Sequence, residues 1–95
     1  MKIKVTLEQQ PVDFIKRQPP QIRKRLRNAL HAVEQGAAFP EPLEDELEGF
    51  YKVKVESFRL ILESAASKEG PRFRVIFAER RKVVYEMFSQ LLGLE

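Results

Sequence analysis

In the second half of the chain apolar and charged positions alternate with a period of two. Tyr51, Val53 and Val55 are interleaved with Lys52 and Lys54; Phe58, Leu60 and Leu62 follow Arg59 in the same rhythm; Phe73, Val75 and Phe77 alternate with Arg72 and Arg74. Such a period sends successive side chains to opposite faces of a strand. The spacing therefore predicts strands over 50–55, 58–63 and 72–78, with the apolar rows in a core and Lys52, Lys54, Arg59, Arg72 and Arg74 on the opposite rows. One face of the sheet is expected to be apolar and the other cationic. Only Glu56-Ser57 lies between the first two strands, which predicts a tight antiparallel hairpin without the usual turn glycine. The stretch from Ala65 to Pro71, next to Ser64 and containing Ser67 and Gly70, reads as a flexible connection.

The first half carries one more alternating run, Ile3, Val5 and Leu7, and then the period changes. Pro11 and the pair Pro19-Pro20 frame a short helix over Asp13–Arg17 that points Phe14 and Ile15 inward. From Gln21 the apolar residues Ile22, Leu26, Ala29, Leu30 and Val33 recur at three and four, and Gly36 stands where a helix cap belongs. The opposite face of this second helix holds Arg23, Lys24, Arg25 and Arg27, a solvated face in which Arg23 and Arg27 are candidate nucleic-acid contacts. Residues 37–48, with Pro40 and Pro42, read as a loop. A last helix is predicted over Arg80–Leu92, its stripe made of Val84, Met87, Phe88 and Leu91 and widened by Val83 and Leu92. That stripe serves either a core or a partner. The predicted fold class is α+β: an N-terminal strand and two helices, a three-strand antiparallel meander, and a C-terminal helix.

At 95 residues, with 43% hydrophobic and 33% charged side chains, the chain has the size and composition of one folded domain with one core. There is no cysteine, which removes disulfides and a thiol nucleophile and suits a reducing cytosol. No apolar run approaches the ~18 residues a membrane crossing needs, and the N-terminus alternates like a strand rather than leading into a signal-peptide core. A cytoplasmic protein is expected. The net charge of +3 hides an asymmetry, because five of the fourteen acids (Glu41, Glu44, Asp45, Glu46 and Glu48) fall between 41 and 48. Elsewhere basic residues dominate, which attracts a phosphate backbone by counterion release; the acidic segment is expected to lie away from that binding face.

These pieces, in this order, resemble the RelE/ParE toxins of bacterial and archaeal toxin–antitoxin systems over nearly the whole chain. The resemblance is carried by the N-terminal strand, by the two helices around a proline-bearing connection, and by Leu47-Glu48-Gly49 leading into Tyr51-Lys52-Val53-Lys54-Val55. It continues through Phe58-Arg59-Leu60-Ile61 and through Ala78-Glu79-Arg80-Arg81 ahead of Val84-Tyr85. It implies a small RelE-like fold and, in the RelE branch, a metal- and cofactor-independent endoribonuclease that cuts mRNA in the ribosomal A site and so inhibits translation. Position by position it implies catalytic roles for Lys52, Lys54, Arg59, Arg80 and Tyr85; Arg72 and Arg74 on the cationic strand rows, Arg81 beside Arg80, and Arg23 and Arg27 on the second helix are the candidate RNA contacts. It also implies an acidic antitoxin, partly disordered when free, that docks on a stripe such as Val84, Met87, Phe88 and Leu91. The ParE branch has the same scaffold and implies a toxin that binds DNA gyrase with no nuclease site.

Cleavage in which a 2′-hydroxyl attacks the adjacent phosphate needs a base, positive charge on the phosphoryl oxygens and a proton for the leaving oxygen. Lys52 and Lys54 share a strand face, and their mutual repulsion suits one of them as base, Lys54 by the resemblance. Arg59 and Arg80 suit phosphate clamping, and Tyr85 suits stacking on a base or orienting the hydroxyl. Glu79 stands where many relatives have a basic residue, and Arg80 and Arg81 compete for one role. His31 reads as a surface histidine beside the second helix's stripe. No Ser-His-Asp set and no His/Cys metal cluster is present, and the acids at 41–48 match no calcium loop. The strands also lack the paired exposed aromatics of sheets that stack RNA bases, Phe50 being the single candidate.

Overall fold

A computed structural model describes residues 2–94, the side chains of Ala66 and Ser67 excepted. In chain order its elements are β1 (Lys4–Leu7), α1 (Gln9–Lys16), α2 (Pro20–Glu34), β2 (Glu41–Pro42), a 3-10 turn at Asp45–Leu47, β3 (Phe50–Val55), β4 (Phe58–Ser67), β5 (Gly70–Arg80) and α3 (Val84–Leu92). The strands make one sheet in the order β1-β5-β4-β3-β2, β1 running parallel to β5 and the other neighbours antiparallel. This is the α+β arrangement the periodicities predict, the meander being β3-β4-β5. Among the described residues no helix is long and apolar enough to cross a membrane.

Several boundaries move for identifiable reasons. Helix α1 begins at Gln9, so Pro11 lies inside its first turn, where a backbone N–H has no intrahelical acceptor to lose. Pro20 opens α2 in the same way. The expected flexible connection from Ala65 to Pro71 is instead a long hairpin: β4 and β5 stay paired out to Ser67 and Gly70, leaving Lys68-Glu69 as its turn. Helix α3 starts four residues later than expected because β5 continues through Arg80. The loop 37–48 contains β2, whose two residues pair with Lys52 and Tyr51. Between Val55 and Phe58, Glu56 takes the left-handed conformation (φ 54°) that a turn glycine would ordinarily supply.

Two layers of core flank the sheet. On one face α1 and α2 cover Val55, Phe58, Leu60, Leu62, Val75 and Ala78 with Phe14, Ile15, Leu26 and Leu30, and Phe14 meets Phe58 edge to face at 5.7 Å. Where β1 has ended, Gln10 substitutes for a neighbouring strand: its amide accepts from Ala78 N–H and donates to Ala78 C=O, both at 2.8 Å. On the other face α3 builds a second core from Ile61, Phe77, Val84 and Phe88 with Leu43. The expectation of one apolar and one cationic face therefore holds only in part, since α3 covers the part of the second face that carries Ile61 and Phe77.

A β-bulge explains the difference. Leu62 pairs with Val75 and Ile61 with Phe77, so Ile76 is an extra residue in β5. One inserted residue reverses the alternation beyond it. Phe73 and Val75 face α1 and α2 as the pattern predicts; Phe77 turns to the α3 side, where it meets the Phe88 ring at 5.9 Å.

Gly49 joins the 3-10 turn to β3 at φ +100°, and a Cβ there would meet nothing within 4 Å. The cost of a side chain at this position is thus conformational rather than steric. Gly49→Ala is expected to lower stability by about 1–2 kcal/mol, read as a lower urea midpoint at unchanged slope.

Candidate functional site

The pairing register decides which charged residues meet. Glu41 is opposite Lys52 in the β2-β3 pair, Lys52 is opposite Ile61, and Lys54 is opposite Arg59, which is in turn opposite Glu79. Paired residues share a face, so Glu41, Lys52, Lys54, Arg59 and Glu79 stand together on the α3 side of the sheet. Lys52 borders the second core across from Ile61, and Lys54, Arg59 and Glu79 continue from it toward the hairpin end. Tyr85, in the first turn of α3, packs against that core with its ring centroid 6.0 Å from Lys52 Nζ, at the outer limit of a cation–π contact. Arg59 is anchored at the hairpin end, its Nη1 donating to the carbonyls of Glu56 and Phe58 at 2.9 and 2.8 Å.

One residue of this cluster was placed elsewhere by the sequence reading. Glu41 Oε2 sits 3.4 Å from Lys54 Nζ and 3.9 Å from Lys52 Nζ, so the acidic segment is not wholly remote from the cationic face. The two ammoniums do not confront each other unscreened either, since one carboxylate stands against both. Lys52 is the more enclosed of the pair, its side chain 26% exposed against 52% for Lys54. At these exposures the ion pairs contribute about 0–1 kcal/mol to stability; their effect is on position. The signal available in the sequence was local: Glu41 is separated from the other acids and flanked by Pro40 and Pro42, which favours the extended backbone that β2 adopts.

The bulge turns Arg80 away from this cluster. Arg80 is opposite Phe58 and lines a groove with Phe14 and Arg17, on the α1 side of the sheet. Arg81 carries the ladder one residue further, donating to Ser57 C=O at 2.8 Å. It is the first residue of the turn that leads to α3, beside Ser57 at the hairpin end where Arg59 is anchored. Of the five residues implied as catalytic, four therefore share a face, and Arg80 does not join them.

The expected RNA contacts divide. Arg74 is held by Glu63 through two nitrogens and approached by Glu8 at 3.9 Å; the Glu63 hydrogen bond, then its charge, raises the affinity of this guanidinium for its proton above the ordinary arginine value. Arg72 lies opposite Lys4, with its Nε buried and without a hydrogen-bond partner among the described residues. Both share a face with Lys52, but Arg74 is level with Phe50, four residues from Lys54 along β3, or about 13 Å. Arg23 and Arg27 project from α2 on the opposite layer, Arg27 beside Lys16 and His31 in a groove between α1 and α2. Of the expected docking stripe, Val84 and Phe88 are core residues at 0% and 3% exposure, so they present nothing to a partner; Met87 and Leu91 are exposed. Among the described residues no group of three His, Cys, Asp or Glu side chains is placed to hold a metal ion.

Solved structures share this fold. The free E. coli toxin RelE, in a mutant form, matches with a TM-score of 0.70 at 17% identity over 98% of this chain and 97% of that one. The toxin–antitoxin complex RelBE2 from Mycobacterium tuberculosis gives 0.69 at 17% identity, covering 85% of this chain and 100% of its counterpart. A YoeB/ParE toxin from Agrobacterium tumefaciens gives 0.63 at 18%, covering 83% and 99%. No family model and no curated protein matches the sequence. The chain has the RelE-like fold.

Proposed function

We propose that this protein is a single-domain toxin of a toxin–antitoxin system, acting in the cytoplasm as a ribosome-dependent endoribonuclease that cuts mRNA in the A site. The observation that carries the reading is the grouping of Glu41, Lys52, Lys54, Arg59 and Tyr85 at one exposed end of the sheet, with Arg81 at the same hairpin end as Arg59. That set contains each component the chemistry requires. A carboxylate is a proton acceptor at neutral pH, and an ammonium paired to it is a donor. Glu41 takes the proton from the 2′-hydroxyl as the O2′–P bond forms, and Lys52 or Lys54 delivers a proton to O5′ as the P–O5′ bond breaks. The products are a 2′,3′-cyclic phosphate and a 5′-hydroxyl. Arg59 and Arg81 hold the non-bridging oxygens, and Tyr85 positions the nucleotide.

The test is to add the purified protein to ribosomes stalled with a defined A-site codon and to map mRNA ends by primer extension, beside Arg59→Ala. Codon-dependent cuts lost in the variant support the reading. Intact message at toxin excess overturns it and moves a ParE-like gyrase-binding role to the front. The same assay separates the adjacent arginines: Arg81→Ala is expected to slow cutting by about 10–100-fold, and Arg80→Ala by less than about threefold. The reverse order would place Arg80 at the phosphate. The complexes among the similar folds also support a cognate antitoxin.

A further inference from the structure

We propose that Phe39 is a stacking platform for the base of the message nucleotide whose 2′-hydroxyl attacks, and so a positioning residue for cleavage; the proposal rests on the endoribonuclease reading above. Among the described residues Phe39 is the most exposed large apolar side chain, at 75%, and its ring pairs with no other aromatic ring. A single exposed apolar residue is ordinary on a protein surface. What sets this one apart is its company. Phe39 lines a depression of about 180 Å³ at the β2 edge of the sheet with Glu41, Lys52, Val53 and Lys54. These are the carboxylate and the two ammoniums that meet at 3.4 and 3.9 Å.

The chain presents the ring on an anchored backbone. After α2 ends, the N–H groups of Ala37 and Ala38 both donate to Ala32 C=O, at 2.9 and 3.2 Å, and beyond β2 the Leu43 N–H donates to Phe50 C=O at 2.8 Å. Between these anchors Pro40 is buried and restricts Phe39 to extended backbone. Extending the β2-β3 register by two residues sets Phe39 level with Lys54. Residues two apart in an extended chain share a side, so Phe39 and Glu41 look the same way from positions about 7 Å apart.

A planar apolar ring beside a carboxylate and two ammoniums suits a nucleotide. The cations serve its phosphate, and the ring takes the face of an unstacked base. Glu41 is the proposed acceptor of the 2′-hydroxyl proton, and a ring at that separation is within reach of the base on the same ribose. Tyr85 stands 6.0 Å from Lys52 Nζ but does not line the depression, so the two rings serve different contacts. Phe50, the single stacking candidate on the strands, is committed to Phe88 and the second core.

Cleavage is to be followed on ribosomes stalled with a defined A-site codon, using an ordinary message and one whose attacking nucleotide keeps its ribose but lacks its base. On the ordinary message Phe39→Ala is expected to cut about 5–100-fold more slowly at limiting toxin, the range of one base–aromatic stack, with an unchanged melting temperature. Phe39→Trp is expected to keep near-wild-type cutting and Phe39→Leu to lose it, since bulk without a π-face does not stack. Removing the base should slow the wild type by the same factor as Phe39→Ala does, and slow Phe39→Ala by no more than about twofold further, the non-additivity of two groups in contact. Wild-type cutting by Phe39→Ala would overturn the proposal and leave the ribonuclease reading intact. Fully additive losses would also overturn it, giving the ring to another partner such as ribosomal RNA. A wild type that leaves both messages whole overturns the proposal together with the ribonuclease reading.

Discussion

Glu41→Gln is expected to slow A-site cleavage by about 10²–10⁴-fold, the range removed with a general base, while leaving stability within about 1 kcal/mol of wild type. The amide keeps the size and hydrogen-bonding reach of the carboxylate but cannot accept the 2′-hydroxyl proton. Glu41 is the only carboxylate in ion-pair contact with Lys52 and Lys54 among the described residues, so no neighbour substitutes for it at that position. Single-turnover rates on programmed ribosomes measure the effect free of product release. A rate that rises, or holds, in Glu41→Gln would assign the base to Lys54, which the substitution would release from its partner. Denaturation of the same preparations guards against a folding artefact.

Phe88→Ala carries the largest expected effect on stability, a loss of about 3–5 kcal/mol. The ring is 3% exposed, stands edge to face with Phe50 at 5.0 Å and lies against Phe77 at 5.9 Å. With Val84 it fastens α3 to the sheet, and its ring makes the aromatic contacts to β3 and β5. A domain of this size has some 5–15 kcal/mol in total, so the variant should unfold at a much lower urea concentration. Because Tyr85 is held by the same helix, cleavage measured at a temperature where the variant is still folded should also fall. A loss below about 1 kcal/mol would mean that α3 is not part of the cooperative core and that Tyr85 owes its position to something else.

Local periods made most of the architecture legible. The rows Tyr51, Val53, Val55 and Phe58, Leu60, Leu62 went where alternation sent them, and the stripe of α2 buried Leu26, Leu30 and Val33. The last helix was harder, because its apolar residues span more than the arc one contact can bury, and the period alone could not choose which part faces inward. Val84 and Phe88 are inside; Met87 and Leu91 are outside. The choice was made by β5 and Phe50, which the helix meets only in the folded chain.

The candidate site followed the same division. The sequence by itself determined the residue types and the shared face of Lys52 and Lys54, because a two-residue period is a property of one strand. It also identified Arg59 and Tyr85, through the resemblance, as their companions. Only the tertiary structure decided that Glu41 stands against both lysines, since that contact depends on β2 adding to the sheet edge. Only it decided that Arg80 falls on the α1 side, away from Arg59, since the bulge at Ile76 arises from the pairing of β4 with β5 and reverses the alternation beyond it. Side-chain direction within a strand is local, but register between strands is a long-range agreement, and a shift of one residue reverses every side chain beyond it.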